Sequence, residues 1–525
     1  MPPGRPAPAA PRPETTMTRV LTTSRILEQV SPQPVPETGL DALLAASRAA
    51  ARLWREVSLR DRVRRLRRLR EELVRGAADL ALESGAARSR PAAEAMVSEV
   101  LPLVEACRFL ERKAPSILRP TRPGWWGRPL WMTGVGCEIH REPLGLILII
   151  APSNYPLFIP GVQALQSLAA GNAVWVKPAP GCAAPMNLLQ SMLARAGIHP
   201  DLFAVLPASR EAGETALQAS VDKVLFTGSA DTGRGILRRL APRLLPATLE
   251  LSGSDPVLVR EDADLPLVAR ALAFGLTLNG GHTCVAPRRV YVHRKVHGSL
   301  ETLLAEELHP RFQPSPIPRE LATRLLPMLC QAFDQGARVV TGGLRPDGTL
   351  IAPLVLANTP PGIPLLQEDW FLPILSLVPV GGDDEAVGRA NDSRYHLGAA
   401  VFSGDEPAAR LLALRINAGV VCINDLILPT ADPRVPFGGR GQSGFGATRG
   451  AEGLLELTTP KAVTCTRGTR RPAYQEPEPG DGLLFQGYLN LAHGRGLAQR
   501  LQGLKSIAAA LSRRRPPQPR KKKPQ

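Results

Sequence analysis

The chain has 525 residues, too many for one hydrophobic core, so two or three domains are expected. Hydrophobic residues make up 44% and aromatic residues only 4%, which is a soluble globular composition with cores of Ala, Leu and Val. The net charge of +17 is concentrated at one end, because residues 495–525 contain ten Lys or Arg and no Asp or Glu. The basic balance therefore describes a tail rather than the fold.

The cysteine pattern excludes two classes of small scaffold. The seven cysteines show no CxxC pair and no Cys/His cluster, which argues against a structural zinc or a disulfide framework. We predict no bound metal and a reducing, cytoplasmic location. The most apolar segment, LGLILIIAPSNYPLFIPG, contains three prolines and a polar Ser-Asn-Tyr, so we expect no membrane-spanning helix there.

The amino-terminal part of the chain changes character near residue 40. Residues 1–39 are Pro-rich, with no apolar stretch of signal-peptide length. From 40 to 115 the pattern is helical: Ser58 and Asp61 form a candidate cap before leucines at helical spacing. We interpret the arginines between those leucines as a solvated face and expect no nucleic-acid partner.

Beyond residue 144 short apolar strands alternate with helices. The strand candidates are LILII (146–150), AVWVK (173–177), FAVL (203–206) and KVLF (223–226). Continuous apolar strands, each followed by a helix, predict a buried parallel sheet covered by helices. A second α/β region follows, with strand candidates PVLV, RRVYV, LSLVPV, AAVFS and VVCIN.

Three stretches contain residues suited to chemistry. FTGSADTG (226–233) follows a strand and opens a helix, so its backbone N–H groups suit an anion, although a plain strand–helix turn is an equal interpretation. Cys284 in NGGHTCVAP and Glu250 in ATLELSGSDP offer a nucleophile and a base. Asn154 in APSNYPL offers an oxyanion donor. Taken singly, a buried cysteine, a surface glutamate and a turn asparagine are the better explanations of these three residues.

The order of these motifs resembles the aldehyde dehydrogenase superfamily over residues 40 to 465. The resemblance rests on EPLGLILIIAPSNYPL, GNAVWVKPAP, FTGSADTG, LELSGSDP, NGGHTCVAP, EDWFLP and VPFGGRGQSGFG. It implies an α/β fold with a Rossmann-like parallel-sheet cofactor domain, an α/β catalytic domain and a small β bridging element. It also implies oxidation of an aldehyde to the carboxylic acid with NAD or NADP.

The resemblance implies a role for each catalytic residue. Cys284 would attack the aldehyde, while Asn154 and the Cys284 backbone N–H would hold the oxyanion. Glu250 would activate the water that hydrolyses the thioester. A coenzyme A-acylating semialdehyde dehydrogenase is the alternative enzyme, and a non-catalytic binding protein on this fold is the alternative from another class.

The cofactor residues follow from the same resemblance. Lys177 would reach the adenosine ribose, and Phe371 would pack beside the nicotinamide. The strand end and turn toward the pyrophosphate comprise Phe226, Thr227, Gly228, Ser229 and Gly233.

Three cofactor positions depart from the usual family residues. Asp369 replaces a Glu that holds the nicotinamide ribose, and Ser153 replaces a Trp before the catalytic Asn. Pro180 replaces a Glu that binds both adenosine hydroxyls in NAD-preferring relatives. Loss of that carboxylate predicts that NADP is tolerated or preferred.

The resemblance also predicts how the chain is divided. The expected parts are residues 1–39 as an extended amino terminus, 40–250 as the cofactor domain with a bridging strand at 136–143, 251–443 as the catalytic domain, 444–470 as the return to the cofactor domain with the second bridging strand, and 471–525 as a basic extension. Because bridging strands join subunits in the family, a homodimer or homotetramer is expected.

The basic extension has no counterpart in the family core. Its leucines recur at helical spacing between basic residues, ahead of RRR and RKKK: Leu497, Leu501, Leu504, Ile507 and Leu511. A peripheral membrane contact is one interpretation of this pattern. A solvated or subunit-packing extension is the other.

Overall fold

The computed structural model describes residues 39–129, 132, 134–311, 313–469, 474, 476 and 478–513. Nearly all of the Pro-rich amino terminus and the basic residues from 514 onward lie outside this range. The chain divides into two compact units. One comprises residues 1–122 and 139–462, and the other comprises 123–138 and 463–525.

The described residues form helices joined by short strands, and every predicted strand is present. The helices span Leu40–Glu56, Leu59–Arg75, Ala77–Ala86, Ala92–Ala95, Leu101–Ile117, Phe158–Ala170, Ala184–Arg195, Arg210–Gln218, Ala230–Leu240, Leu265–Thr277, Arg294–Leu308, Arg319–Asp334, Pro364–Gln367, Asp383–Asn391, Glu406–Arg415, Gly450–Leu455, Asp481–His493 and Gly496–Arg513. The strands are β1 Val135–Pro143, β2 Leu146–Ile150, β3 Ala173–Lys177, β4 Phe203–Val205, β5 Lys223–Thr227, β6 Ala247–Glu250, β7 Asp255–Val259, β8 Pro287–His293, β9 Gln313–Pro316, β10 Arg338–Leu344, β11 Thr349–Ala357, β12 Ile374–Val380, β13 Tyr395–His396, β14 Gly398–Phe402, β15 Val420–Ile423, β16 Arg440–Gly441, β17 Gly444–Phe445 and β18 Thr458–Thr466.

The helical amino-terminal pattern is confirmed, including its cap. The Ser58 hydroxyl accepts a hydrogen bond from the Asp61 backbone N–H at 3.1 Å. Leu66, Leu69 and Leu73 point inward and are at most 1% exposed. Spacing of three and four residues therefore buries one face of this helix, as the sequence predicts.

The first sheet has six strands in the order β17-β6-β5-β2-β3-β4. All neighbours are parallel except β17, which runs antiparallel to β6 and pairs Gly444 with Glu250. The strands are buried and apolar along nearly their whole length. This confirms the predicted parallel sheet and places Glu250 at the end of a strand held from both sides.

The second sheet has eight strands, seven of them in the order β10-β11-β12-β8-β7-β14-β15. Its central strands are parallel, and β9 and β10 both pair antiparallel with β11. The five strand candidates of this region are confirmed. The three strands at the β9–β11 edge had no prediction, because Gly and Pro interrupt their apolar patterns.

β1 and β18 pair with each other in a two-stranded sheet, where the resemblance predicts bridging strands. In the second unit, the helices Asp481–His493 and Gly496–Arg513 pack closely at two glycines. A Cβ on Gly487 would lie 2.9 Å from the Gly503 carbonyl oxygen, so this crossing requires glycine. Within the described ranges no helix is both long and apolar enough to cross a membrane.

Candidate active site

A left-handed turn carries the nucleophile candidate into the site. The helix Leu265–Thr277 ends just before it, and Asn279, Gly280 and Gly281 have φ values of 54°, 60° and 80°. A Cβ on Gly281 would lie 2.6 Å from the Pro373 nitrogen, so only glycine fits there. The two glycines thus let the chain reverse within a few residues and present Cys284.

Asn279 fixes this turn to the loop that follows β2. Its side-chain amide donates to the Asn154 carbonyl oxygen at 2.9 Å and to the His282 carbonyl oxygen at 3.3 Å. Asn154 lies four residues beyond β2, is 4% exposed, and donates from Nδ2 to the same His282 carbonyl at 3.1 Å. The structure therefore brings Asn154 and the cysteine loop together, through a residue that sequence reasoning did not assign.

A second contact holds the residue directly before the cysteine. The Tyr155 and Thr283 hydroxyls form a hydrogen bond of 2.7 Å, and the Arg90 guanidinium stacks 5.4 Å from the centre of the Tyr155 ring. Arg90 is itself paired with the fully buried Glu99. Because these partners lie far apart in sequence, no local motif marks them.

Cys284 and Glu250 line one cavity of about 210 Å³. Burial raises the pKa of the Cys284 thiol, and the neighbouring carboxylates of Glu250 and Asp255 raise it further, while Arg449 opposes both. Burial also raises the pKa of Glu250, against the charge of Arg449 and a hydrogen bond from the Thr448 hydroxyl at 3.4 Å. The thiol and the carboxyl thus face one small space.

Most of the remaining lining of this cavity is apolar. Its lining residues include side chains from the loop after β2, from the helix Leu265–Thr277 and from residues 427–437: Tyr155, Phe158, Ile159, Phe274, Leu278, Ile427, Leu428 and Phe437. Val97 and Leu428 also line it and are 61% and 63% exposed. The cavity therefore reaches the surface at an apolar rim.

A separate cavity of about 540 Å³ lies at the ends of β2 and β3. Lys177 and Pro180 line it together with the facing sides of the helices Arg210–Gln218 and Ala230–Leu240. At Gly235 a Cβ would meet no atom within 4 Å, so this helix face is open. Burial lowers the pKa of Lys177, with Glu211 opposing.

The turn after β5 leads into the helix Ala230–Leu240, which lines this second cavity. Ser229 is exposed and caps the helix Ala230–Leu240 by accepting from the Thr232 N–H at 3.3 Å. The Gly228 N–H donates to the Glu250 carbonyl oxygen at 3.1 Å, which ties the turn to the backbone at Glu250. This region combines cations, the amino end of a helix and an open groove. Such a combination suits a nucleotide with phosphates.

Three predicted residues of the β5 turn have packing positions. Phe226 and Thr227 are the buried end of β5, and Thr227 accepts from the Gln163 amide at 3.5 Å. A Cβ on Gly233 would lie 2.8 Å from a Leu251 methyl group, so Gly233 lets the helix approach the next strand. Phe226 and Gly228 are in contact, since a Cβ on Gly228 would lie 2.5 Å from the Phe226 ring.

Asp369 and Phe371 lie on the opposite side of the cysteine turn. The Phe371 N–H donates to the Asp369 carboxylate at 3.0 Å, and Phe371 has a φ of 48°. The Phe371 ring meets His282 edge to face, with ring centres 5.6 Å apart. Burial raises the pKa of Asp369, against the charge of Arg288.

Ser153 and His282 lie in the two loops that contain Asn154 and Cys284. Ser153 is exposed, and its carbonyl accepts a 3.9 Å hydrogen bond from the Cys182 thiol. His282 Nδ1 contacts the Asn279 carbonyl oxygen at 3.1 Å, and burial lowers the pKa of the imidazole. His282 therefore packs against Phe371 as a neutral ring.

The aldehyde dehydrogenase family matches residues 29–463. A 4,4'-diapolycopene aldehyde oxidase of Methylomonas sp is 31% identical over 86% of this chain and 86% of its own. An aldehyde dehydrogenase of Mycobacterium tuberculosis, solved in complex with NAD+, is 27% identical, with a TM-score of 0.74 over 81% of this chain and 90% of that one. A betaine aldehyde dehydrogenase of Staphylococcus aureus shares the fold, at 23% identity and a TM-score of 0.75 over 83% and 89% of the chains.

The match covers most of the chain, includes the turn around Cys284, and agrees with the two sheets described above. Enzymes of this family oxidise an aldehyde and use a nicotinamide dinucleotide as the cofactor. The chain belongs to the aldehyde dehydrogenase family and is an oxidoreductase that converts an aldehyde to the carboxylic acid with NAD or NADP.

Proposed function

We propose that Cys284, Glu250 and Asn154 perform the reaction in the apolar cavity. The observation that carries this proposal is that the thiol and the carboxyl line one cavity. The Cys284 thiolate adds to the aldehyde carbon, and the resulting oxyanion accepts hydrogen bonds from the Cys284 N–H and the Asn154 amide. Asn154 has a second N–H for this purpose besides the one bound to His282.

When bound, the nicotinamide accepts the hydride that leaves the former aldehyde carbon, and Cys284 then holds the acyl group as a thioester. Glu250 takes a proton from water, which attacks that carbon and releases the acid and the thiolate. Because the pKa values of both Cys284 and Glu250 are raised, the rate rises with pH as each group ionises.

We propose that the residues of the second cavity and of the turn after β5 hold the cofactor. Lys177, Gly228 and Ser229 serve the adenosine and phosphate portion, and Asp369 and Phe371 serve the nicotinamide portion. Residues 40–250 and 251–443 are accordingly proposed as the cofactor and catalytic domains. Phe226, Thr227 and Gly233 shape the turn from its buried side.

The aldehyde is proposed to be long and apolar. The cavity around Cys284 is lined mainly by apolar side chains and opens between Val97, Phe274 and Leu428. The relative from Methylomonas is named as a 4,4'-diapolycopene aldehyde oxidase. Each methylene group of a substrate that is buried in such an apolar cavity strengthens binding.

NADP is proposed as an accepted or preferred cofactor. Pro180 stands where a glutamate would repel a 2′-phosphate, and Arg210 and Arg239 line the same cavity, together with Glu214 and Asp231. Both arginines bind the Glu214 carboxylate, at 3.1 Å and 3.4 Å. Their charges therefore lie at the cavity wall, where a phosphate is favoured over a hydroxyl.

A homodimer or homotetramer is proposed through the two-stranded sheet of β1 and β18. The β18 residues after Thr458 are exposed, so this sheet offers surface to a second subunit. Sedimentation velocity measures the state directly, and a monomer would contradict the proposal.

The seven free cysteines suit a reducing cytoplasm, which is the location we propose.

A peripheral membrane contact is proposed for the carboxyl-terminal helix pair. The leucines Leu497, Leu501, Leu504 and Leu511 are 50% to 79% exposed. At 100° per residue they share an arc of about 80°, flanked by Arg500 and Lys505, whereas Gly503 faces the neighbouring helix. Apolar side chains bordered by cations suit an anionic lipid surface.

Replacing Glu250 separates the two halves of the reaction. Glu250→Gln is expected to release about one NADH or NADPH per site in a rapid burst and then to turn over at least about a hundredfold more slowly, because hydrolysis loses its base. Stopped-flow absorbance measures both phases, and Glu71→Gln at an exposed site is the control. A wild-type steady-state rate in Glu250→Gln would contradict the assignment, and a product that requires coenzyme A would favour the acylating alternative.

The apolar cavity predicts a dependence on aldehyde length. For linear saturated aldehydes, kcat/KM is expected to rise about threefold per added methylene until the cavity is filled. Leu428→Asp at the rim should lower kcat/KM about tenfold for long aldehydes and leave propanal unchanged. Leu414→Asp, at an exposed site outside the cavity lining, is the control. Higher kcat/KM for a short semialdehyde with a carboxylate than for any long aldehyde would refute the proposed substrate class.

The cofactor proposal is tested by kcat/KM for NAD and NADP at saturating aldehyde. The wild-type enzyme is expected to use NADP at least as well as NAD. Pro180→Glu should shift the ratio toward NAD about tenfold, because it places a carboxylate beside the 2′-phosphate. Pro180→Gln has nearly the same size without the charge and controls for shape. Strict use of NAD by the wild-type enzyme would end the hypothesis.

Flotation with vesicles tests the membrane contact in the full-length protein. Vesicles containing phosphatidylserine are expected to carry the protein upward, and the Leu501→Glu, Leu504→Glu double variant should remain below. Leu53→Glu, Leu82→Glu adds the same charges at exposed leucines of the first unit. Equal flotation of wild type and the Leu501, Leu504 variant would contradict the contact, and an altered sedimentation coefficient without flotation would assign these leucines to subunit packing.

A further inference from the structure

Arg449 is a buried cation in the cavity that contains the thiol and the carboxyl. It lines this space beside Cys284 and Glu250 and is only 9% exposed. An unpaired guanidinium is costly to bury, so its position calls for a compensating anion. The resemblance to the family assigns no role to this position.

The backbone around Arg449 is strained in a way that directs the side chain inward. Its φ is 62°, a left-handed value that an arginine rarely adopts. Its N–H donates to the Gln166 side-chain oxygen at 3.3 Å, directly before the helix Gly450–Leu455. The helix start and the buried glutamine therefore hold a conformation that the residue would not choose alone.

Two aromatic rings and one carbonyl fix the guanidinium. It lies 4.2 Å from the centre of the Phe437 ring and 5.5 Å from that of Phe158. It also donates a hydrogen bond to the Thr430 carbonyl oxygen. Within the described part of the chain, none of the salt bridges includes Arg449, so its charge is not consumed by a carboxylate in direct contact.

We propose that Arg449 is a positioning residue that stabilises the Cys284 thiolate and the ionised Glu250 by its charge. This inference rests on the proposed roles of Cys284 and Glu250. Thr448, the residue before it, binds the Glu250 carboxylate at 3.4 Å, so one short segment serves both catalytic groups. A fixed cation in an apolar cavity acts on nearby anions more strongly than a cation in water.

The other charged groups around the thiol oppose or supplement this effect. The carboxylates of Glu250 and Asp255 disfavour the thiolate, and Glu94 adds a third carboxylate to the cavity lining. Arg288 is a second buried cation on which the Cys284 charge acts, but two carbonyl oxygens already bind it, those of Leu372 and Gly281. Tyr155 also faces the thiol and stays protonated, since burial raises its pKa. Arg449 is the cation that shares the cavity with the thiol.

The test is the pH dependence of Cys284 alkylation by iodoacetamide, followed by mass spectrometry of the peptide that contains Cys284. In Arg449→Met the midpoint of the alkylation rate is expected to rise by about one pH unit, which slows alkylation about tenfold below the midpoint. Arg449→Lys keeps the charge, so its midpoint should lie close to that of the wild-type protein. Arg440→Met removes an exposed arginine from the same segment and should leave the midpoint unchanged.

Arg449→Gln provides a second neutral variant if Arg449→Met is unstable, because its amide can still donate to Thr430. An unchanged midpoint in either neutral variant would overturn the inference, and so would an equal shift in Arg449→Lys. Failure of the proposed function has a different signature. In that case Cys284→Ala would keep its dehydrogenase activity, whatever the midpoint of the Arg449 variants.

Discussion

The burial of two proton-donating groups in one apolar cavity is the constraint on which the rest of the site depends. In the proposed mechanism Cys284 must lose a proton to attack and Glu250 must be ionised to activate water, yet desolvation raises the pKa of both. Exclusion of water from the cavity still favours the reaction, because it strengthens each hydrogen bond to the developing oxyanion. It also protects the thioester until the Glu250 carboxylate activates one water molecule. Hydrogen-bond donors in fixed positions and a nearby cation are therefore needed to stabilise the ionised forms of both groups.

Two connections in the fold supply the necessary rigidity. The Asn279 side chain joins the cysteine turn to the loop after β2, and the pairing of β17 with β6 holds Glu250. Both join segments that are far apart in the chain. Of the proposed catalytic groups, Glu250 ends β6 and Asn154 lies in the loop after β2, at the carboxyl ends of strands where ligand sites are typical.

The sequence predicted those parts of the fold that local patterns encode. β2, β3 and β5 are continuous apolar runs between turn residues, and the Ser58 cap precedes regular leucine spacing. The β9–β11 edge was missed because β10 is partly exposed and contains two glycines, and because a proline interrupts the apolar run of β11.

The candidate catalytic residues came from short motifs in a familiar order. Their supporting contacts could not be found in that way, since Tyr155 meets Thr283 and Asn279 meets Asn154 only after folding. Arg449 was missed for a further reason. An arginine in a segment rich in glycine suggests a solvated loop, and only the packing of Phe158 and Phe437 shows that its charge is buried.

The central claim is that Cys284 carries the acyl group in this cavity. Acid quenching during turnover of a long aldehyde, followed by mass spectrometry of the intact and digested protein, measures this directly. The account predicts one added acyl group per chain, located on the peptide that contains Cys284 and removed by hydroxylamine. An acyl group on any of the other six cysteines, or turnover without a detectable acyl group in the Glu250→Gln enzyme, would contradict it.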